Sequence, residues 1–228
     1  MIIKGFIKNS LVDYPGKISS VVFVAGCNFR CGYCYNRDLV LDHKNMPEIK
    51  KSDVIDYLKD KQEWIDGVVI CGGEPLIYDL EDFIVEVKKL GYLVKIDTNG
   101  SFPYALKNLL DKKLVDYVAM DVKAPWNKYK MVCGVEVDLD KIKESIKIIK
   151  VSGVDYEFRC TVLPDFSIED MIKIVKALDY PKRFCLQQFK PVTTIDSNYL
   201  NKNPFPSSYF NKLKDILKGY AKEIIVRA

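Results

Sequence analysis

Residues 18–36 read ISSVVFVAGCNFRCGYCYN: an apolar, β-branched run that stops at Gly26 and gives way at once to three cysteines within eight residues. The run is continuous rather than alternating, which reads as a strand buried on both faces. Similar runs follow at 67–73 (GVVICGG), 92–100 (YLVKIDTNG), 117–123 (YVAMDVK), 156–162 (YEFRCTV) and 183–189 (RFCLQQF), and EIIVRA ends the sequence. Amphipathic segments lie between them. At 139–151, Leu139, Ile142, Ile146 and Ile149 recur at helical spacing with lysines opposite. Segment 80–90 stops at Gly91, a C′ glycine, and 168–178 starts behind Ser167 with Asp170 three residues on, as in a capping box. Strand–helix alternation with buried strands predicts an α/β fold with a parallel sheet. A chain of 228 residues is too short for eight such units, so the expected form is an open, partial (β/α)6 barrel. No linker rich in Gly, Pro or Ser divides it. One domain is expected over 1–228, with a short N-terminal segment (1–17), a core (18–190) and a C-terminal loop, helix and strand (191–228).

Composition narrows the function. The chain is 48% hydrophobic and 29% charged, with no apolar run long enough for a membrane span. Lys4 and Lys8 interrupt the apolar N-terminus, so no secretory signal is expected and the cytoplasm is the default compartment. Cysteines there are more often metal-binding, catalytic or buried than disulfide-bonded. The net charge of +4 is interspersed, without the basic block that marks a nucleic-acid partner. Histidine occurs once, as His43 in a polar loop, which argues against Cys/His zinc sites and a Ser-His-Asp triad.

In parallel α/β folds functional groups collect at the carboxyl ends of the strands. The first strand runs into Cys27. The second ends in Gly72, Gly73, Glu74 and Pro75, the third in Asp97, Thr98, Asn99 and Gly100, the fourth in Asp121, Val122 and Lys123. The fifth carries Arg159 and the sixth Gln187 and Gln188, so one rim gathers polar groups beside the cysteines.

Cys27, Cys31 and Cys34 follow C-x3-C-x2-C with no fourth Cys or His near them, so a closed structural zinc site is not expected. Three thiolates suit an iron–sulfur cubane that leaves one iron open to an exogenous ligand. Cys71, Cys160 and Cys185 lie inside strands and read as core filler; Cys133 has no assignment. The glycines of GGEP either shape a turn or let backbone approach a ligand. Asp97 and Asp121 could bind a cation or a ligand amine, or cap helices. Arg159, inside an apolar strand, needs an anionic partner, either a neighbouring acid or a substrate carboxylate. Adjacent Gln187 and Gln188 cannot both face inward.

Together the cysteine spacing and GGEP resemble the radical S-adenosylmethionine superfamily. DTNG and DVK resemble its glycyl-radical-enzyme activating enzymes, and SLVDYPGKISSVVFVAGCNFRCGYCYN is similar to activators of anaerobic ribonucleoside-triphosphate reductase. The resemblance runs from Ser10 to the QQF strand. It implies a 4Fe–4S cluster on Cys27, Cys31 and Cys34, whose open iron is chelated by the methionine part of S-adenosylmethionine. It implies cosubstrate contacts from Tyr33, Cys34 and Tyr35 near the adenine, and from Gly72, Gly73 and Glu74, with Gly73 at the methionine amino group. Further contacts fall to Asn99, to Asp121, Val122 and Lys123, to Arg159 at a carboxylate, and to Gln188 rather than Gln187 on the last strand. Asp97, Thr98 and Asp121 would form a monovalent-cation site. The implied partners are a glycyl-radical enzyme as protein substrate and reduced flavodoxin or ferredoxin as electron donor. Two departures stand out: Tyr35 and the glutamines occupy places where many relatives have histidine. No ferredoxin-type insert precedes GGEP, so a single cluster is expected. Rival readings are a small-molecule radical enzyme of the 7-carboxy-7-deazaguanine synthase kind and a non-catalytic iron–sulfur electron carrier. Cys31→Ala is expected to abolish both cluster content and S-adenosylmethionine cleavage, checked by iron analysis and 5′-deoxyadenosine release; cleavage by that variant would overturn the cysteine assignment.

Overall fold

In the computed structural model, which describes residues 1–228, one sheet holds eight strands in sequence order. They are β1 (Ile3–Ser10), β2 (Ser19–Val24), β3 (Gly67–Gly72), β4 (Leu93–Thr98), β5 (Tyr117–Asp121), β6 (Asp155–Val162), β7 (Arg183–Gln188) and β8 (Glu223–Arg227). From β2 to β8 every neighbour is parallel; β1 pairs with β2 antiparallel, and β1 and β8 do not pair, so the barrel stays open. The helices are α1 (Arg37–Leu41), α2 (Lys51–Lys59), α3 (Glu81–Lys89), α4 (Pro103–Asp111), α5 (Tyr129–Cys133), α6 (Leu139–Val151), α7 (Ile168–Ala177) and α8 (Ser207–Leu217). The expected α6 matches residue for residue, and α7 carries the full Ser167/Asp170 capping box. Gly91 follows α3 at φ +89°, the left-handed conformation that a C′ glycine adopts without steric cost.

Strand β1 is a correction to the sequence reading, which left 1–17 without a strand. As an antiparallel edge strand it is only half covered, and shifts in its register break the period-2 pattern that would reveal it.

Alternation along the parallel strands separates two environments. Val22, Val68, Val94, Val118, Phe158 and Phe184 are fully buried in the large core beneath the helices. Each such side chain contributes roughly 1.5–3 kcal/mol of transfer free energy. The opposite, inner face starts with a small apolar plug of Tyr14, Val21, Val69, Tyr117 and Ala119. Beyond the plug that face is polar. Glu157 is fully buried there, gripped by both terminal nitrogens of Arg227 at 2.6 and 2.7 Å and by the Tyr117 hydroxyl at 3.1 Å.

That contact ties the last strand to the barrel interior through a carboxylate that has no access to water. Arg227→Met is expected to strand the Glu157 charge and cost about 3 kcal/mol, read as a lower denaturation midpoint. A variant as stable as wild type would show that β8 is held by its ladder alone.

Candidate active site

Residues 25–36 connect β2 to α1 and carry the three cysteines at the carboxyl end of the sheet. The Cys34 N–H donates to the Cys31 carbonyl at 3.0 Å, a tight turn that brings the second and third cysteines together. Arg30 closes the loop by donating to the carbonyls of Cys27 and Phe29 at 2.5 and 2.8 Å. Two N–H groups reach the Cys27 sulfur, the Phe29 amide at 3.4 Å and Asn99 Nδ2 at 3.9 Å. Asn99 also donates to Asn28 Oδ1 at 2.9 Å, so the end of β4 clasps the start of the cysteine loop. Cys31 is buried, while Cys27 and Cys34 are partly exposed. Burial pushes the Cys27 thiol up to about 12 and raises Cys34 as well. Cys31 is lowered instead, foremost by the neighbouring Cys133 thiol.

The donor set fits an iron–sulfur cluster: three soft ligands on one loop, with N–H groups aimed at one sulfur. No three His, Cys, Asp or Glu side chains converge closely enough to chelate a single ion. A cubane places each thiolate on a different iron and needs no such convergence.

The GGE turn is held by packing against this loop. A Cβ on Gly73 would lie 1.8 Å from the Gly26 carbonyl oxygen, and one on Gly72 (φ +111°) 2.6 Å from that of Val24. Only glycine permits the approach that lets the Gly73 N–H donate to Val24 O and the Glu74 N–H to Gly26 O, both at 2.9 Å. Asn36 Nδ2 donates to the Gly72 carbonyl at 3.2 Å from the far end of the cysteine loop. Glu74 then points inward, 1% exposed, and accepts from the Leu76 N–H at 3.1 Å, the Thr98 hydroxyl at 2.7 Å and the Asn99 N–H at 2.7 Å.

The inner face just below the rim is a charge network. Arg159 donates to Asp121 through Nε at 2.8 Å and to Asp97 through a terminal nitrogen at 2.7 Å. Lys95 pairs with Asp97, and Lys123 with Asp121 at 3.1 Å. Burial raises both carboxyls, but Arg159 foremost and then the lysines outweigh it and hold them below the ordinary aspartate range. Arg159 therefore finds its anionic partners within the chain. Thr98, expected beside these aspartates, turns to Glu74 instead. Lys95 was missed in the sequence, although a lysine inside an apolar strand is the same signal that singled out Arg159.

Other expectations change as well. Register pairs Arg159 with Cys185 and Thr161 with Gln187, so Gln187, two residues from Cys185, faces the interior. Gln188 points away and donates to the Phe205 carbonyl at 2.8 Å, which corrects the choice of Gln188 over Gln187. Cys160 fills the main core as expected; Cys185 is also fully buried and Cys71 packs against the apolar plug, but pairing of Cys71 with Phe23 and of Cys185 with Arg159 puts both on the inner face. Tyr33 is buried against Tyr199, ring centroids 6.2 Å apart, and only Tyr35 presents its ring outward, 66% exposed. Val122 is buried in the main core, so its backbone rather than its side chain is the part that can meet a ligand; its N–H donates to the Arg159 carbonyl at 2.8 Å.

The irregular segment 191–206 crosses back onto the cysteine loop. Asp196 N–H donates to Gly32 O at 2.9 Å, and a Cβ on Gly32 would meet the Tyr199 ring at 2.9 Å.

Glu74 sets a pH dependence. Desolvation raises its carboxyl from the ordinary 4.5 to about 7, against three donors that favour ionisation. A raised carboxyl contributes stability that is fully present below pH 4.5 and is lost as the pH rises through 7. Relative to Glu74→Gln, wild type is expected to lose about 3 kcal/mol between those limits. Denaturant titrations of both proteins at pH 4.5 and 8 check this; parallel pH profiles would overturn it.

With this geometry in view, comparisons with known proteins are specific. The Radical SAM superfamily model matches residues 21–178. MJ1227 of Methanocaldococcus jannaschii, provisionally named a glycyl-radical enzyme activating enzyme, is 36% identical across 99% of this chain and 95% of its own. The pyruvate formate-lyase-activating enzyme of Clostridium pasteurianum is 27% identical over 94% of each chain. The 7-carboxy-7-deazaguanine synthase of Clostridium acetobutylicum is 33% identical over 70% of this chain and 72% of its own. Streptococcus suis SuiB bound to S-adenosylmethionine superposes with TM-score 0.69 at 16% identity over 91% of this chain; the present chain spans about half of it, 52%. No helix of the structure is long and apolar enough to cross a membrane. An open parallel barrel, a three-cysteine loop at its rim and a relative matched along nearly its whole length converge: the chain belongs to the radical S-adenosylmethionine superfamily, among the glycyl-radical-enzyme activating enzymes.

Proposed function

We propose that this enzyme holds a 4Fe–4S cluster on Cys27, Cys31 and Cys34 and installs a glycyl radical on an anaerobic ribonucleotide reductase. Cys27, Cys31 and Cys34 would hold the cluster, which would supply an electron, drawn from an external donor, for cleaving the C5′–S bond of S-adenosylmethionine and so for removing a hydrogen atom from the partner's glycine. The observation that carries the reading is the junction of the cysteine loop with the GGE turn and the end of β4, built by Gly73, Glu74 and Asn99 at the mouth of an open barrel.

The chain's own residues have distinct tasks in this reading. Gly72, Gly73 and Glu74 line the rim where the methionine amino group binds, and Tyr35 offers its exposed ring to the adenine. Asp97, Asp121, Lys95, Lys123 and Arg159 comprise two anions and three cations, so the group carries one excess positive charge to receive the methionine carboxylate. Asn99, Lys123 and Gln187 complete the polar wall. A monovalent cation at Asp97, Thr98 and Asp121 would have to displace Arg159 from both carboxylates. β1 and β8 do not pair, and that open side is the proposed entry for a loop of a protein substrate. Reduced flavodoxin or ferredoxin in the cytoplasm is the proposed electron source.

A second reading, modification of a small 7-deazapurine precursor, draws on the 33% identity to the Clostridium acetobutylicum synthase. The test is anaerobic EPR of the reconstituted, reduced enzyme mixed with S-adenosylmethionine and the anaerobic ribonucleotide reductase of the same organism. A glycyl-radical doublet that requires S-adenosylmethionine is the expected outcome. 5′-Deoxyadenosine without a doublet would overturn the partner and leave the small-molecule reading in its place.

A further inference from the structure

The monovalent-cation site that the sequence resemblance implies at Asp97, Thr98 and Asp121 does not fit the residues found there. All four oxygens of the two carboxylates already accept from cationic side chains. Asp97 takes Arg159 on one oxygen at 2.7 Å and Lys95 on the other. Asp121 takes Arg159 Nε on one oxygen at 2.8 Å and Lys123 on the other at 3.1 Å. The Thr98 hydroxyl is engaged elsewhere, donating to Glu74 at 2.7 Å and accepting the Gly100 N–H at 3.1 Å. An added ion would enter a group with more cations than anions and would have to strip a carboxylate of its partner.

Lys95 is the unusual member. It lies inside β4, 2% exposed, level with Val69 of β3 and Tyr117 of β5 in the apolar plug. Its ammonium sits 5.9 Å from the Tyr117 ring centroid and reaches past the plug to Asp97. A buried ammonium keeps its charge only beside an anion. The deeper acid on this face, Glu157, is taken by Arg227, and Asp97 is the carboxylate with which Lys95 pairs. A tethered ammonium brings the same unit charge as a free monovalent ion, at an effective concentration that no change of salt can lower.

We propose that Lys95 is a built-in replacement for a monovalent cation: with Arg159 and Lys123 it holds Asp97 and Asp121 neutralised, so that S-adenosylmethionine binds without sodium or potassium, a last step that rests on the function proposed above. Lys95 is a positioning residue in this arrangement. It occupies the outer oxygen of Asp97 and leaves Arg159 to bridge the two aspartates.

The test compares full-length wild type, Lys95→Met and Lys95→Arg in sodium, potassium and choline chloride at equal ionic strength. One arm is the thermal midpoint without cosubstrate; the other is equilibrium dialysis of S-adenosylmethionine against the reconstituted enzyme. Wild type and Lys95→Arg are expected to melt within about 1 °C in all three salts and to bind S-adenosylmethionine with the same dissociation constant. Lys95→Met bares one Asp97 oxygen, and its midpoint is expected to rise in sodium or potassium relative to choline. Lost packing alone would not create that dependence. A wild-type midpoint that rises with either ion overturns the proposal, as does a wild-type affinity that tightens about fivefold or more with it. A Lys95→Met protein that melts alike in all three salts overturns it too; should that variant not fold, the wild-type arms decide. Absence of S-adenosylmethionine binding in every salt overturns the proposed function instead, and the melting arm then decides the role of Lys95.

Discussion

The Glu74 carboxylate, sealed from water and accepting three hydrogen bonds, is the constraint on which the site depends. Its acceptors fix the ends of β3 and β4 at one height, and its own N–H holds the carbonyl of Gly26, where the cysteine loop begins. A buried carboxylate with fewer donors would cost several kcal/mol and would pull its strands out of position. The neighbouring glycines serve the same junction. They allow β3 to approach β2 so closely that any side chain would collide with main-chain oxygen. The loop that carries the thiols is therefore held in place by contacts of the scaffold.

Electrostatics shapes the space beneath that junction. Buried charges persist in a low-dielectric interior only when paired, and Arg159 bridges two aspartates that also have lysine partners. Deeper still, Glu157 meets Arg227 and draws the last strand into the same framework. The interior is thus organised in tiers: an apolar plug, a buried ion pair, a rim of linked charges, and the thiols above. Such preorganisation holds polar groups in place before any ligand arrives, which lowers the reorganisation that catalysis would otherwise require.

Two segments remote in sequence brace the cysteine loop from outside. Segment 191–206 packs Tyr199 against Gly32 and Tyr33, and the end of α5 presses Gly134 against Arg30. At the first contact the loop lacks a side chain, and at the second the bracing segment does. This division accounts for the opposite fates of neighbouring tyrosines: Tyr33 serves the bracing and is buried, while Tyr35 is left exposed at the rim.

The parallel strands, α6, the capping box of α7 and the rim positions of Cys27, Glu74, Asp97, Asp121 and Arg159 were legible in the sequence, because each follows from local periodicity or from the strand-end rule. Strand β1 was not, since an edge strand with register shifts leaves no clean alternation. Lys95 carried a readable signal that went unused. Other features had no local signal at all. Whether Gln187 or Gln188 faces inward depends on the register between β6 and β7, and a shift of one residue exchanges them. The Cys133 carbonyl meets the Arg30 N–H only because the segment after β5 folds back over the loop after β2. Sequence alone determined the fold class and singled out the three-cysteine loop, since both reside in short contiguous patterns. Tertiary structure alone decided which charges neutralise one another and which remote segments brace the cysteine loop, because those contacts join residues that only packing brings together.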